Sequence, residues 1–271
     1  MTDVEKMIPH LEQEILERTR EFFCGKAVLD EAVLYAVGGR GKRLRPLLMS
    51  LVASSCGADP KELAAYYTAL EWIHTYSLIH DDLPAMDDDD FRRGQPTVHK
   101  AYGEAVAILA GDALLNSAAE LLFDACTRAR EEARRRALKI SALIMKKAGV
   151  QGMIGGQVKD VTAEMSARHE DWRKRVAREK TGALFEAAVY AGVVWAEKED
   201  HLEAWLRFAR VFGEAYQVRD DLEDDEEERL GVTRDSLLEE LKELNEEMHQ
   251  ILEELPFKTK GVLELVEALY S

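Results

Sequence analysis

Between His74 and Gly94 the chain concentrates six aspartates, Asp81, Asp82 and Asp87 to Asp90, followed at once by Arg92 and Arg93. Like charges at that density repel unless something positive sits among them. A divalent cation is the natural counter-charge. Oxygen-only donors with no cysteine nearby favour a hard ion, and magnesium binds through a few carboxylates, waters and substrate phosphates. The two guanidiniums offer planar donor forks to phosphate oxygens. The stretch therefore reads as a site for a metal-bound phosphorylated ligand. A run of acids is more often a solvated surface loop, and that reading stands beside the first. An EF-hand is a poor alternative, because the required Gly and the closing Glu are missing from the spacing.

A second cluster of the same type lies far downstream, Gln217-Val218-Arg219-Asp220-Asp221-Leu222-Glu223-Asp224. Two such clusters are harder to dismiss as surface than one. From Asp81, Ser77 lies one turn back and His74 two turns back, so the three share a helix face. Gln217, Asp220, Asp221 and Asp224 fall on one face in the same way. Two helices of this kind facing each other would hold several magnesium ions between their ends. Apolar helix below that rim would make a deep slot, which implies a substrate with a diphosphate head and a hydrocarbon tail.

The elements that must position these groups read as helices. Strand-like alternation is hard to find, only six prolines occur, and apolar residues recur at i, i+3, i+4, so the expected architecture is all-α. Helices are expected over residues 4–23 (Val4, Ile8, Leu11, Ile15, Phe22), 27–37, 47–55, 60–82, 103–125, 131–149, 171–195 and 201–224. Gly38-Gly39-Arg40-Gly41 breaks the pattern, with Lys42-Arg43-Leu44-Arg45-Pro46 after it and the proline near a first turn. Gly155-Gly156-Gln157 reads as another interruption. Carboxylates at the C-terminal end of 60–82 meet the negative end of the helix dipole, a strain that bound cations would relieve. Residues 235–255 carry a thin apolar stripe (Leu237, Leu238, Leu241, Leu244, Met248, Ile251, Leu252, Leu255), as a peripheral helix, or part of a lid or partner contact, would. No repeat or linker stands out, so 1–271 reads as one domain.

Composition narrows the partners. A formal charge of −16 and 32% charged residues leave no basic face for nucleic acid, and a phosphate substrate would be repelled without metal. Cys24, Cys56 and Cys126 are odd in number and widely spaced, as reduced core thiols are. Met1 to Lys6 lack a secretion pattern. No uninterrupted apolar run approaches a membrane span, the longest being broken by Asp112 and Glu186. The expected location is cytoplasmic.

The residues resemble the trans-isoprenyl diphosphate synthases of the farnesyl/geranylgeranyl type, from about residue 30 to 225. The family's D-D-x4-D and R-R-G stand as Asp81, Asp82, Asp87 and Arg92-Arg93-Gly94, and its second aspartate motif as Asp220, Asp221 and Asp224 after Gln217. G-K-R-L-R-P is Gly41 to Pro46, G-G-Q is Gly155 to Gln157, and K-T-G is Lys180-Thr181-Gly182. The resemblance implies an isoprenoid synthase bundle of about ten or more helices around a deep apolar cavity, acting as a homodimer with three magnesium ions per site. By the same token Asp81 and Asp87, supported by Asp82, hold two ions, and Asp220, helped by Asp221 and Asp224, holds the third. Arg92, Lys180, Thr181 and Gln217 contact the allylic diphosphate, and Lys42, Arg45, His74 and Arg93 the isopentenyl diphosphate. Taken singly, His74 also reads as a core histidine and Lys180 as a surface lysine.

The chemistry implied is ionisation of the allylic C–O bond, attack by the isopentenyl double bond and loss of a proton. Tyr76, with Ser77 beside it, resembles the floor that limits chain length; with Pro84-Ala85 it points to a C15 product, farnesyl diphosphate, with C20 as the alternative. By ideal helix geometry Tyr76 lies roughly 140° around from Asp81, so spacing does not place it in the slot. Two features depart from the family pattern. Glu223 replaces an apolar residue, and the region after about 225 is shortened and lacks a downstream lysine, with Gly231-Val232-Thr233 as its remnant and Arg229 or Arg234 as candidate substitutes. A terpene cyclase would need neither the second aspartate motif nor Lys42 and Arg45. A non-catalytic subunit of a heteromeric synthase would have no need of intact aspartates.

Overall fold

The structure is a computed structural model and describes residues 3–25, 27–162, 170–223 and 232–270. Among them are thirteen α-helices and one hairpin of two-residue strands, so the all-α expectation holds. Two compact units are present. Asp3–Leu47 with Lys61–Ala137 forms the first, and Leu48–Pro60 with Leu138–Ser271 the second.

In the first unit α1 (Asp3–Phe22), α2 (Val28–Gly38), α4 (Ala64–Asp81), α5 (Val98–Tyr102) and α6 (Glu104–Arg128) pack together. α4 is the axis: twelve of its residues are buried, which is why its sequence lacks a polar face. Its Trp72 is fully buried, and the indole nitrogen donates to Thr19 Oγ1 at 2.9 Å while Phe22 and Phe23 meet the ring edge-on. α6 runs along α4, and Gly111 lets the His80 ring lie against its backbone. By length and composition α6 is apolar enough to cross a membrane, Asp112 notwithstanding. Its Ala107, Ala110, Leu114, Ala118, Leu121 and Leu122 are nevertheless buried within the unit.

In the second unit α8 (Met153–Thr162), α9 (Glu170–Val176), α10 (Ala183–Trp195) and α11 (Leu202–Glu223) surround one π-helical turn, Ala177–Gly182. α3 (Leu44–Ser55) and α7 (Glu131–Ala148) each contribute residues to both units. α10 is apolar but for Glu186 and largely buried, with Gly192 lying so close to α3 that a Cβ would sit 2.9 Å from Met49 O. The charged helix α12 (Arg234–Glu254) packs along α11 by the expected thin stripe, Leu237, Met248, Ile251 and Leu252. α13 (Lys260–Tyr270), for which the sequence pattern gave no expectation, buries Val262, Leu265 and Val266.

Two expectations about breaks are corrected. Gly155-Gly156-Gln157 lies inside α8 and does not interrupt a helix, because both glycines are needed for close approach. The helix expected over 171–195 contains the π turn. Of the cysteines, Cys56 and Cys126 are buried core filler, with burial pushing the Cys56 thiol up to about 11, whereas Cys24 is exposed.

Candidate active site

The first aspartate motif begins where α4 ends. Asp81 is the last helical residue, and the chain then folds back on itself: the Met86 amide donates to Leu83 O at 2.8 Å and the Asp87 amide to Asp81 O at 2.9 Å. That closure brings the two outer aspartates of the motif together. Asp87 is exposed and Asp81 partly so. Asp82 behaves differently. It is 3% exposed, and Arg92 reaches its Oδ1 through Nε and Nη2, both at 2.6 Å. Burial raises the Asp82 carboxyl pKa while the guanidinium lowers it. Two residues expected to act on ligands are thus engaged with each other.

Arg92 lies on the first strand of the hairpin, β1 (Phe91–Arg92) against β2 (Gln95–Pro96), paired Arg92 to Gln95. The turn residues Arg93 and Gly94 both have positive φ, 54° and 79°, the two-residue turn whose twist suits a tight hairpin. Arg93 then reaches the glycine loop, where a Cβ on Gly41 would meet its Nη1 at 2.6 Å. The loop is anchored from inside by Arg43, itself at φ 47°. Arg43 donates to Glu71 Oε1 at 2.7 Å and to the carbonyls of Val37 and Gly39, and both members of the pair are 3% exposed. Lys42 and Arg45 flank this anchor; Lys42 is exposed and Arg45 is 9% exposed.

His74 sits on α4 with Arg45, Arg93, Arg43 and Arg92 close enough to act on it electrostatically. Desolvation and those four positive charges hold its pKa well below 6.5, so it stays neutral. Ser77 is turned back onto α4, donating to His74 O at 2.9 Å. Tyr76 is buried, edge-on to His80, with its hydroxyl making no hydrogen bond among the described residues and pushed up to about 12 by burial and by Asp81. The first unit therefore presents guanidiniums, an uncharged imidazole and a carboxylate loop along the end of one helix.

In the second unit Lys180 and Thr181 ride on the π turn, which is pinned from two sides by glycine. A Cβ on Gly156 would lie 2.8 Å from Lys180 Cα and closer still to its amide nitrogen, and one on Gly213 would lie 2.9 Å from Gly182 Cα. π turns inside α-helices are rare and concentrate at functional sites. Lys180 Nζ contacts Asp160 Oδ2 at 2.8 Å, a carboxylate one turn beyond Gly156 on α8. Thr181 Oγ1 donates to Gln217 Oε1 at 2.9 Å, and Gln217 Nε2 donates to Asp221 Oδ1 at 2.8 Å. This relay fixes the amide orientation and commits the threonine proton. The lone pairs of Thr181 Oγ1 are left for another group.

Asp221 is 3% exposed and serves the relay, while Asp220 is partly exposed beside it. Glu223, the departure from an apolar residue, pairs with Arg219 at 2.6 Å on the exposed face. Arg234 donates to Leu222 O at 3.2 Å, capping the end of α11. Asp224, Arg229 and Gly231 lie outside the described residues. Among the described residues no group of three or more metal-ligating side chains is gathered into a cage. The oxygen donors still fit magnesium, which keeps waters and completes its shell with substrate phosphates.

Sequence reasoning missed three features of this arrangement. Asp160 could have been found as the acid spaced one turn after the glycine pair, and Glu71 as the lone charge in the apolar run of α4. The engagement of Asp82 by Arg92 has no sequence signal, since it depends on the hairpin.

A helical fold with an aspartate loop after one helix, aspartates in the last turn of another, a guanidinium cluster and a Lys-Thr turn defines a class, and the model of the polyprenyl synthetase family matches residues 26–232. The chain belongs to that family. It is 40% identical to the farnesyl diphosphate synthase of Bacillus subtilis over 206 residues, 75% of this chain and 69% of that one. It is also 40% identical to a geranylgeranyl diphosphate synthase of Cyanophora paradoxa over 205 residues, 74% and 67% of the two chains. Among solved structures, an FPP/GFPP synthase from Zymomonas mobilis superposes with a TM-score of 0.87 at 30% identity, covering 99% of each chain.

Proposed function

We propose that the chain is a magnesium-dependent trans-prenyltransferase that joins isopentenyl diphosphate to a C5 or C10 allylic diphosphate and releases farnesyl diphosphate. The observation that carries this reading is the Asp81–Asp87 closure at the end of the helix that bears His74 among its four arginines. The carboxylates are an oxygen donor set for magnesium, and the basic groups suit a second diphosphate that needs no metal. Lys42, Arg45, His74 and Arg93 take the isopentenyl head. The uncharged imidazole of His74 donates or accepts a hydrogen bond without adding charge. Asp81 and Asp87, and Asp220 in the second unit, are the metal ligands, while Asp82 and Asp221 orient Arg92 and Gln217.

Bound magnesium would supply positive charge to the departing diphosphate. Lys180 adds to that charge, and Asp160 holds its ammonium in place. As the allylic C–O bond breaks, its electron pair leaves on the diphosphate and a carbocation remains. The lone pairs of Thr181 Oγ1 and the carbonyl dipole of Gln217 face positive charge favourably without forming a covalent bond. The isopentenyl double bond then forms the new C–C bond, and a proton passes to the released diphosphate. No protein nucleophile is required.

Tyr76 is the proposed floor of the hydrocarbon slot. A C20 product is the second reading, favoured by the Cyanophora paradoxa relative. We read α6 as a core helix of a cytoplasmic, single-domain enzyme. Its exposed Ile108, Leu109 and Phe123, 69% exposed in the last case, are the apolar surface on which a second copy would pack. The test is incubation of the pure chain with isopentenyl diphosphate and C5, C10 or C15 primers, with product lengths read by mass spectrometry. C15 product with magnesium and none after EDTA is expected. Diphosphate release from the primer alone, at the rate seen with both substrates, would instead identify a cyclase.

A further inference from the structure

A polar cavity of about 520 Å³ opens in the second unit, lined by Lys147, Arg175, Arg178, Glu179, Glu186 and Arg210 from α7, α9, the π turn, α10 and α11. None of these residues belongs to the proposed catalytic set. The volume falls within the roughly 300–1,000 Å³ of small-molecule sites. The wall is charged, which excludes a hydrocarbon occupant.

Its charges are unevenly matched. Lys147 is neutralised by Glu186 at 2.8 Å and Arg210 by Glu203 at 2.6 Å, and Glu179 is held by Lys159. Arg175 and Arg178 have no ion pair among the described residues; Arg178 acts on the half-buried Glu214 only through space. In a chain of net charge −16, two unmatched guanidiniums on one cavity wall stand out as an anion site. Two forks, with Lys147 and Arg210 behind them, suit two linked phosphate groups better than one.

We propose that this cavity is an additional binding site for diphosphate, independent of metal and separate from both the aspartates and the Lys42, Arg45, His74 and Arg93 cluster. Arg178 shares the π turn with Lys180 and Thr181, so an anion held there braces the turn from its outer side. Diphosphate is also what the proposed reaction releases, and product feedback at this cavity rests on that reading. Binding itself does not.

The test is calorimetric titration of the full chain in EDTA with inorganic diphosphate, and separately with geranyl diphosphate. Inorganic diphosphate should bind without metal, and Arg175→Ala/Arg178→Ala should weaken that binding at least about tenfold, the loss expected for charge-assisted hydrogen bonds. Because the proposed isopentenyl head site also binds diphosphate without metal, the titrations are run in an Arg93→Ala background, which removes that contribution and should leave binding at this cavity in place. Equal affinity for the two ligands supports recognition of the head group. Geranyl diphosphate binding where inorganic diphosphate does not overturns the proposal, as does unchanged affinity in a double variant with a native melting curve. Should the double variant melt early, Arg178→Gln decides, and wild-type affinity in it counts against the site.

Discussion

Replacing Gly156 by alanine tests whether the position of the π turn controls catalysis. The new Cβ would sit 2.8 Å from Lys180 Cα and 2.9 Å from the Glu179 carbonyl carbon. Against an optimum of about 3.5 Å between carbons, the turn must retreat by at least about 0.7 Å. The obstructing atoms are backbone, so no side chain can swing aside. Overpacking of this kind costs about 1–3 kcal/mol, partly offset by the roughly 1 kcal/mol that alanine gains over glycine in a helix. The net loss of about 1 kcal/mol lowers the melting temperature by only about 2–4 °C. A displacement near 1 Å at a reacting group, by contrast, costs on the order of 100-fold in rate. Steady-state kcat/KM with geranyl diphosphate should therefore fall far more than stability does. Gly213→Ala, 2.9 Å from Gly182 Cα, should behave alike. Gly261→Ala, where the Cβ meets only the movable Leu51 side chain, should keep full activity. Wild-type kcat/KM in Gly156→Ala would refute the reasoning.

Three further outcomes are expected. Glu71→Ala removes the short, buried partner of the Arg43 guanidinium and should lower the urea unfolding free energy by about 3 kcal/mol; a loss within error would mean that the Val37 and Gly39 carbonyls and Glu12, 3.7 Å away, suffice. His74 is held neutral when folded, whereas unfolded it takes up a proton near pH 6.5. Below that pH the unfolded chain binds more protons, so stability present at pH 7 is lost as pH falls from about 6.5 towards the folded value. The urea midpoint should drop between pH 7 and 5.5 in the wild type by more than in His74→Gln, and parallel profiles would contradict the assignment. Tyr76→Ala opens the space of a buried ring and should shift products beyond C15 by mass spectrometry, with unchanged lengths removing Tyr76 as the floor.

Long helices were legible because apolar periodicity survives over many turns: the expected 4–23, 103–125 and 201–224 match α1, α6 and α11 to within three residues at each end. Short elements were not. The hairpin has two-residue strands, too brief for alternation to register, and α13 is a single short amphipathic stretch. The family resemblance, not spacing, implied a shared role for Asp81 and Asp87, and the backbone bond from the Asp87 amide to Asp81 O draws the two positions together. What spacing cannot convey is which carboxylates are already occupied. Asp82 and Asp221 look equivalent to their neighbours in sequence, yet each is buried and committed to an internal partner. The glycine pair misled for a related reason. Glycine in a helix reads as a break when its actual use, close approach of another backbone, lies outside the local sequence.

The π turn at Ala177–Gly182 carries one residue more than an α-helical register would need. Deleting a single residue there would let α9 and α10 merge into one regular rod and would rotate α9 by about 100° relative to α10. Such a shortened chain would gain regular hydrogen bonds while Lys180 lost its alignment with Asp160. The insertion is thus a place where thermal robustness and turnover are set against each other by the count of residues alone.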